Sequence, residues 1–176
     1  TKKEELIATC QALRKNDPRH TKLDLNEYVS LVDWKQQVRK VAEALEQNTF
    51  VEDVTLPYHL CGESASQLSH FLRSSPSLRR LEMSRKGKET RDVSREIEGL
   101  KTHIVIESIS RSTSLVKLFL FDVVFGEHCP LEGFLSSTRT LVDFFYIQND
   151  STMTYGTAQA IGRGFAKNKS LVNLQW

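Results

Sequence analysis

Short apolar triplets recur along the chain. The clearest is formed by Leu115, Leu118 and Leu120, and triplets of the same spacing begin at positions 20, 51, 78, 141 and 171. Their first residues are 31, 27, 37, 26 and 30 residues apart. An apolar pattern that recurs every few tens of residues is typical of repeat proteins, in which each unit buries its core against its neighbours. The pattern therefore predicts one repeat architecture over the whole chain.

A second set of apolar positions precedes the triplets at a constant distance. The residues ten and six positions before each leading residue are apolar in five consecutive units: Val41, Leu45, Leu68, Leu72, Val105, Ile109, Leu131, Leu135, Ile161 and Phe165. Two positions four residues apart lie on one face of a helix. We therefore expect a helix before each of these strands, with the apolar positions facing the strand anchors.

The N-terminal part of the chain follows the same alternation. A helical stripe over 2–16 ends at Asn16-Asp17-Pro18, and a period-2 pattern predicts the first strand over 21–25. A second helix is predicted over 33–47, with Asn48 as its left-handed C-cap. One strand and one antiparallel helix per unit imply parallel strands, and hence an α/β solenoid with a curved sheet on the concave face and helices on the convex face.

The repeats resemble the leucine-rich repeat family, specifically its longer, ribonuclease-inhibitor-like repeats. The last unit carries the best match, with Asn149 at the asparagine position, Gly156-Thr157-Ala158-Gln159-Ala160-Ile161 opening the helix and Asn168-Lys169-Ser170-Leu171 leading into the next strand. A second match is Val41-Ala42-Glu43-Ala44-Leu45-Glu46-Gln47-Asn48. The family asparagine is replaced elsewhere by Tyr28, His59, Lys86 and Val123. The resemblance implies a protein-interaction module.

The domain prediction is a single unit over 1–176 with about five and a half repeats. The longest step, 37 residues, keeps its helix register back to Val105, so an insertion is predicted near 85–101. Its polar sequence is typical of an exposed loop, with helical spacing through Val93, Ile97 and Leu100. The sequence ends at Trp176 within a predicted strand, which suggests a piece of a longer chain.

Composition narrows the protein class. The chain is 39% hydrophobic and 26% charged with a net charge of +2, which is typical of a folded domain and argues against a surface dominated by nucleic-acid binding. No apolar run approaches the roughly 20 residues that a membrane span needs. Cys10, Cys61 and Cys129 lack a paired spacing, so we expect a reducing, cytoplasmic location. Two glycosylation sequons, at Asn149 and Asn168, are discounted as chance triplets.

Candidate catalytic and cofactor motifs are weak. Gly162-Arg163-Gly164 lacks the third glycine and the preceding strand of a phosphate loop. His59-Leu60-Cys61 and Glu127-His128-Cys129 do not offer four ligands at zinc spacing. No serine or cysteine has a recognised nucleophile setting, and carboxylates such as Asp150 are interpreted as solvated. The expectation is a protein that is not an enzyme, with no cofactor and no metal.

The predicted register places a patch on the concave face. Equivalent outward positions form one row of Lys22, Asp53, Arg80, Lys117, Asp143 and Asn173, in which opposite charges pair at Lys22/Asp53, Asp53/Arg80 and Lys117/Asp143. The next rows contain Phe119, Phe121, Phe145 and Ile147 on two adjacent strands. Contiguous exposed apolar side chains usually mark a partner site. The predicted partner-binding residues are Lys117, Phe119, Phe121, Asp143, Phe145 and Ile147.

The functional prediction is a noncatalytic protein–protein interaction module that binds a protein partner on its concave face. Internal cover of the patch, by the inserted loop or by a missing domain, is the structural alternative. A regulatory domain that activates a partner enzyme such as a small GTPase is a second function, separable by a GTP hydrolysis assay. The basic segment 79–95, interleaved with acidic residues and lacking aromatics, is interpreted as a solvated loop, with RNA or lipid headgroups as a third, salt-dependent alternative.

Overall fold

The structure of the protein is a computed structural model that describes residues 1–31, 33–57, 60, 62–84, 95–125, 129–149 and 153–176, with only the backbone described at 35 and 95–101. Helices and strands alternate along these residues. The elements are α1 (Lys2–Arg14), β1 (Lys22–Asp24), α2 (Trp34–Leu45), β2 (Asp53–Pro57), α3 (Gly62–Ser74), β3 (Arg80–Ser84), α4 (Arg95–Ile109), β4 (Lys117–Phe121), α5 (Leu131–Ser137), β5 (Asp143–Ile147), α6 (Tyr155–Lys167) and β6 (Asn173–Gln175). A 3-10 helix, Leu25–Tyr28, follows β1.

The strands form one parallel sheet in the order β1-β2-β3-β4-β5-β6. Because parallel crossovers are right-handed and the strand order never reverses, the helices lie on one face of the sheet, and no described helix lies on the other, which we call the open face. The register runs through Lys22, Asp53, Arg80, Lys117, Asp143 and Asn173. This ladder confirms the predicted α/β class and the predicted alignment of the rows.

The core lies between the sheet and the helices. Alternate strand residues such as Leu118, Leu120 and Phe144 are fully buried there. Nine of the ten predicted helix anchors are also buried, from Val41 to Ile161. The tenth, Phe165, is 42% exposed, so its predicted burial is wrong. Phe165 lies on α6, whose extensive helix contact among the described residues is with α5.

A polar side chain closes the turn from helix to strand in four of the repeats. The residue three positions before the leading strand anchor accepts a hydrogen bond from that anchor's backbone N–H at Asn48, Ser75, Ser112 and Asn168. The Asn168 Nδ2 also donates to the carbonyl oxygens of Leu135 and Thr138, in the preceding repeat. These bonds satisfy backbone groups that the helix end leaves unpaired. The two bonds donated by Asn168 also tie its turn to the repeat before it.

The turn at Asn48 differs from the predicted left-handed cap. Among the described residues other than glycine, positive φ occurs at Asn16 and Asp122, each at 53°. Asn48 acts through its side chain instead, because its Nδ2 donates to the Leu13 carbonyl 3.0 Å away and its Oδ1 accepts from the N–H of Phe50 and Val51. The buried amide thus caps the turn and joins α2 to the end of α1.

The first strand and the predicted insertion depart from a uniform repeat. Strand β1 ends at Asp24 rather than at Leu25, because the Asp24 carboxylate accepts from the N–H of Asn26, 2.9 Å away, and starts the 3-10 helix. Helix α4 begins at Arg95, so 95–101 is helical backbone. The remainder of the predicted insertion, 85–94, lies outside the described residues.

Helices α5 and α6 approach closely at a glycine. A Cβ added to Gly164 would lie 2.7 Å from the Leu135 Cβ and 3.1 Å from the Glu132 carbonyl oxygen. Both distances are shorter than ordinary nonbonded contacts. Because glycine has no Cβ, the α6 backbone can pack directly against α5 at position 164. Gly162, two residues earlier in the same helix, would meet no heavy atom within 4 Å.

Candidate partner-binding surface

The open face of the sheet carries an apolar cluster on β4 and β5. We define the aromatic patch as Phe119, Phe121, Phe145 and Ile147. Phe119 pairs with Phe145, and Phe121 pairs with Ile147, across the β4–β5 ladder. All of these side chains point away from the core, because strand residues alternate between the two faces. Each is half-buried rather than fully exposed, unlike the neighbouring core residues.

The rings of the patch cover one another. The centroids of Phe119 and Phe145 are 4.5 Å apart with an interplanar angle of 3°, and those of Phe119 and Phe121 are 6.2 Å apart. Stacked aromatic pairs gain roughly 0.5–1.5 kcal/mol beyond the area they bury. Their contact removes part of the apolar surface from water. The patch is therefore a preorganised stack that retains exposed edges.

Arg80 of β3 closes one side of this stack. Its guanidinium lies 4.5 Å from the Phe119 centroid, which is within cation–π range. The same group donates to the Asp53 carboxylate at 2.8 Å and to the Glu82 carboxylate at 2.6 Å. Burial works against the charge of Arg80, but the two carboxylates outweigh it and raise the pKa of the guanidinium. Arg80 is thus fixed over the ring by two ion pairs.

The row that contains Arg80 continues onto β4 and β5, where it is also electrostatically paired. The Lys117 Nζ lies 2.8 Å from an Asp143 carboxylate oxygen, and the Asn173 amide donates to the other oxygen. The hydrogen bond from Lys117, followed by that from Asn173, lowers the pKa of Asp143. Asp143 is buried, with 7% of its surface exposed, and these two partners favour its ionised form and hold the carboxylate in place. Lys117 remains exposed on the open face.

The C-terminal ends of β4 and β5 are fixed to each other. The Tyr146 hydroxyl and the Gln148 amide both donate to the Val123 carbonyl, at 2.7 and 2.6 Å. Asp122, at positive φ, accepts with its carboxylate from the N–H and side-chain amide of Asn149. These bonds hold the strand ends next to Phe121 and Ile147 in register. Side-chain hydrogen bonds therefore cross-link the two strand ends beside the patch.

The patch has a polar boundary towards the first strands. Ser84 of β3 lies beside Phe121 in the same row of the sheet and is buried. The Asn26 amide donates a hydrogen bond to its hydroxyl at 3.2 Å. A groove of about 410 Å³ lies at the N-terminal ends of β1–β4, lined by Thr21, Lys22, Glu52, Asp53, Arg79, Arg80, Val116 and Lys117. Mixed charges line that groove, whereas contiguous apolar side chains form the patch on β4 and β5.

Other predicted chemical groups are not assembled into a site within the described residues. No group of three or more metal-capable side chains occurs there. His59, Cys61, Glu127, His128 and Asp150 lie outside those residues. Cys10 is buried and Cys129 is half-buried, and burial raises the pKa of both thiols. In the part of the chain that the structure describes, no helix has the length and apolarity to span a bilayer.

The structure modifies the predicted surface in two respects. The predicted ion pairs Asp53–Arg80 and Lys117–Asp143 form, both at 2.8 Å, whereas Lys22 and Asp53 face each other in register with no ion pair between them among the described residues. Sequence reasoning also missed the contact of Arg80 with Phe119. The signal was present in the register, because Phe119 is the diagonal neighbour of Arg80 and lies within reach of a long side chain.

Several solved structures resemble this fold. The C-terminal domain of tropomodulin from Caenorhabditis elegans aligns with 16% identity and a TM-score of 0.59, covering 92% of this chain and 94% of that one. The structure of the leiomodin-1 Actin-Binding Site 2 aligns with the same identity and TM-score, covering 92% of this chain and 87% of that one. No protein-family model and no curated protein matches the sequence. The likeness supports a leucine-rich-repeat-like fold.

Proposed function

We propose that the chain is a ribonuclease-inhibitor-like leucine-rich repeat solenoid that acts as an intracellular, noncatalytic protein-binding module. Its partner docks on the open, concave face of the sheet over the aromatic patch. Lys117 and Asp143 border the contact, and Phe119, Phe121, Phe145 and Ile147 make it. The observation that carries the proposal is the half-exposed ring stack on the face opposite the core.

Physical reasoning favours recognition over a structural role for this stack. Aromatic side chains at the centre of an interface dominate binding energies when a polar rim excludes water around them. The patch has this arrangement, with rings in the middle and the ion-paired residues Arg80 and Lys117 beside them. The hydrogen-bonded strand ends limit the conformational entropy that binding would remove.

Actin is the first partner to test. The support is the leiomodin-1 structure, which is named for an actin-binding site and shares the fold. Monomeric actin and filaments are separate ligands, so both are needed: fluorescence anisotropy with labelled monomers and cosedimentation with filaments. Binding of either form by the intact chain would establish actin as a partner.

A double substitution in the patch tests its role in binding separately from its role in folding. Replacing Phe119 and Phe145 together with serine removes the stacked pair, and we expect at least about a tenfold loss of partner affinity, since central aromatic residues are typical hot spots. Thr55→Ala is the matched control, because Thr55 occupies the same row on β2. Circular dichroism checks that both variants fold. Equal affinity of the patch variant and the wild type would refute the proposed surface.

A further inference from the structure

We propose that the aromatic patch accepts the apolar edge of an amphipathic helix, uncharged where it touches the rings. This inference rests on the proposed function and specifies the chemistry of the partner. Four features of the patch lead to it: the pairing of its border charges, the position of its strands within the sheet, the occupied ring faces and the spacing of the rings.

The cationic groups at the border are already paired with carboxylates of the chain. Arg80 is bonded to Asp53 and Glu82, and Lys117 is bonded to Asp143. A charged partner group would have to compete with these pairs or remain desolvated without a counterion, which is unfavourable. The complementary surface is therefore uncharged and apolar at the rings.

The partner cannot add a strand at this site. Strands β4 and β5 are interior strands, with β3 on one side and β6 on the other, so their backbone groups are used within the sheet. An extended peptide laid across the rings would bury its own N–H and C=O groups without partners. A helix satisfies its backbone internally and presents only side chains, so it fits this face.

The ring faces also disfavour a nucleobase. Phe119 has the Arg80 guanidinium towards β3 and the Phe145 ring towards β5, each centred 4.5 Å away. Bases bind aromatic platforms by stacking on a free face. With both faces of the central ring occupied, contact is left to the ring edges, which suit aliphatic side chains.

The dimensions match one row of helix residues. Along β4 the rings of Phe119 and Phe121 are 6.2 Å apart. Residues at i and i+4 of a helix are separated by about 6 Å along its axis. Two apolar side chains of one helix row can therefore contact successive ring edges of the same strand.

The segment 85–94 of this chain does not have the required composition. It reads Arg-Lys-Gly-Lys-Glu-Thr-Arg-Asp-Val-Ser, and Val93 is its one large apolar residue. Two adjacent apolar anchors on a helical row are absent from that sequence. A separate polypeptide is thus the better occupant.

Two displayed peptide libraries test the inference. One is a helical scaffold randomised at i, i+3, i+4 and i+7, and the other is an extended peptide of equal diversity. Both are selected on the wild-type chain, and clones that also bind the Phe119→Ser/Phe145→Ser variant are removed. We expect the helical library to enrich uncharged Leu, Ile, Met or Phe at the randomised positions. Dissociation constants of these peptides should change less than about twofold between about 50 and 500 mM NaCl, because no counterions are released.

The outcomes separate the inference from the proposed function. Patch-dependent peptides that are extended, or that carry Arg, Lys, Asp or Glu at the randomised positions, would overturn the helix while leaving the surface in place. Patch-dependent binding of oligouridine that is tighter than that of any selected peptide would likewise overturn it. Tenfold tighter peptide binding after deletion of 86–93 would show that this segment covers the patch, and would overturn the part of the inference that assigns a separate polypeptide as the occupant. Failure of both libraries to yield patch-dependent binders would overturn the inference and the proposed surface together.

Discussion

Replacing Gly164 with alanine measures how closely the last two helices pack. The new Cβ would lie 2.7 Å from the Leu135 Cβ, 3.1 Å from the Glu132 carbonyl oxygen and 3.2 Å from the Glu132 Cα. Carbon atoms that are not bonded normally stay about 3.5–4.0 Å apart. Two of the three contacts involve backbone, so a side-chain rotation cannot relieve them. Helix α5 and helix α6 must move apart to accept the methyl group.

A control substitution in the same helix isolates the free-energy cost of these close contacts. Alanine is more favourable than glycine inside a helix by about 0.8–1.0 kcal/mol. Gly162 meets no heavy atom within 4 Å, so Gly162→Ala should stabilise the chain by up to that amount. Gly164→Ala gains the same helix propensity but adds an overpacking cost of about 1–3 kcal/mol. The difference between the two variants is therefore about 1–3 kcal/mol, because the propensity contribution cancels.

Thermal and urea unfolding, followed by far-UV circular dichroism, provide the measurement. For a chain of 176 residues, each kcal/mol corresponds to about 2–4 °C in Tm. We expect Gly164→Ala to melt about 2–12 °C below Gly162→Ala, with an unchanged urea m-value. Equal Tm values for the two variants would refute the close approach of α5 and α6.

Other substitutions test the register, the turns and the ion pair. Leu135→Ala should cost about 2–5 kcal/mol and Phe165→Ala less than about 1 kcal/mol in urea unfolding, and equal costs would contradict their different burial. Asn168→Ala should cost about 1–3 kcal/mol by leaving turn carbonyl and N–H groups unpaired, whereas exposed Lys169→Ala stays within about 0.5 kcal/mol. Since its folded pKa is lowered, Asp143 stabilises the fold above its unfolded pKa of about 3.9, and this contribution disappears as the pH falls. Asp143→Asn should therefore lose less stability than the wild type between pH 5 and pH 2.5 in acid titration; an identical loss would exclude this contribution.

The strand ladder was predictable because two periodicities agree. The triplets specify which residues of each strand enter the core, and the helix anchors hold a constant distance from them. Aligning Leu118 with Leu81 and Phe144 then places Phe119 beside Phe145, as the structure shows. Strand pairing follows from the pattern because a slip of one residue would turn the apolar set towards the open face.

Periodicity alone could not predict which helix residues a neighbouring helix buries, or which distant groups a long side chain reaches. Phe165 has the periodic position of a core residue, but burial also requires a second packed neighbour, and among the described helices α6 packs extensively only against α5. Arg80 lies over Phe119 because Asp53 and Glu82 hold its side chain in one rotamer. The sequence pattern does not specify that rotamer. Likewise, Asn48 caps its turn through its amide rather than its backbone conformation.

The turn at Asn168 bears on covalent modification. Asn168-Lys169-Ser170 has the form of an N-glycosylation acceptor, and the atom that would carry the sugar is the side-chain nitrogen. That nitrogen is the donor to the Leu135 and Thr138 carbonyl oxygens, and the Asn168 side chain is half-buried. A glycan attached before folding would remove one donor hydrogen and push a bulky, hydrated group into the junction between two repeats. The folded chain thus protects this asparagine from the modification that its sequence permits.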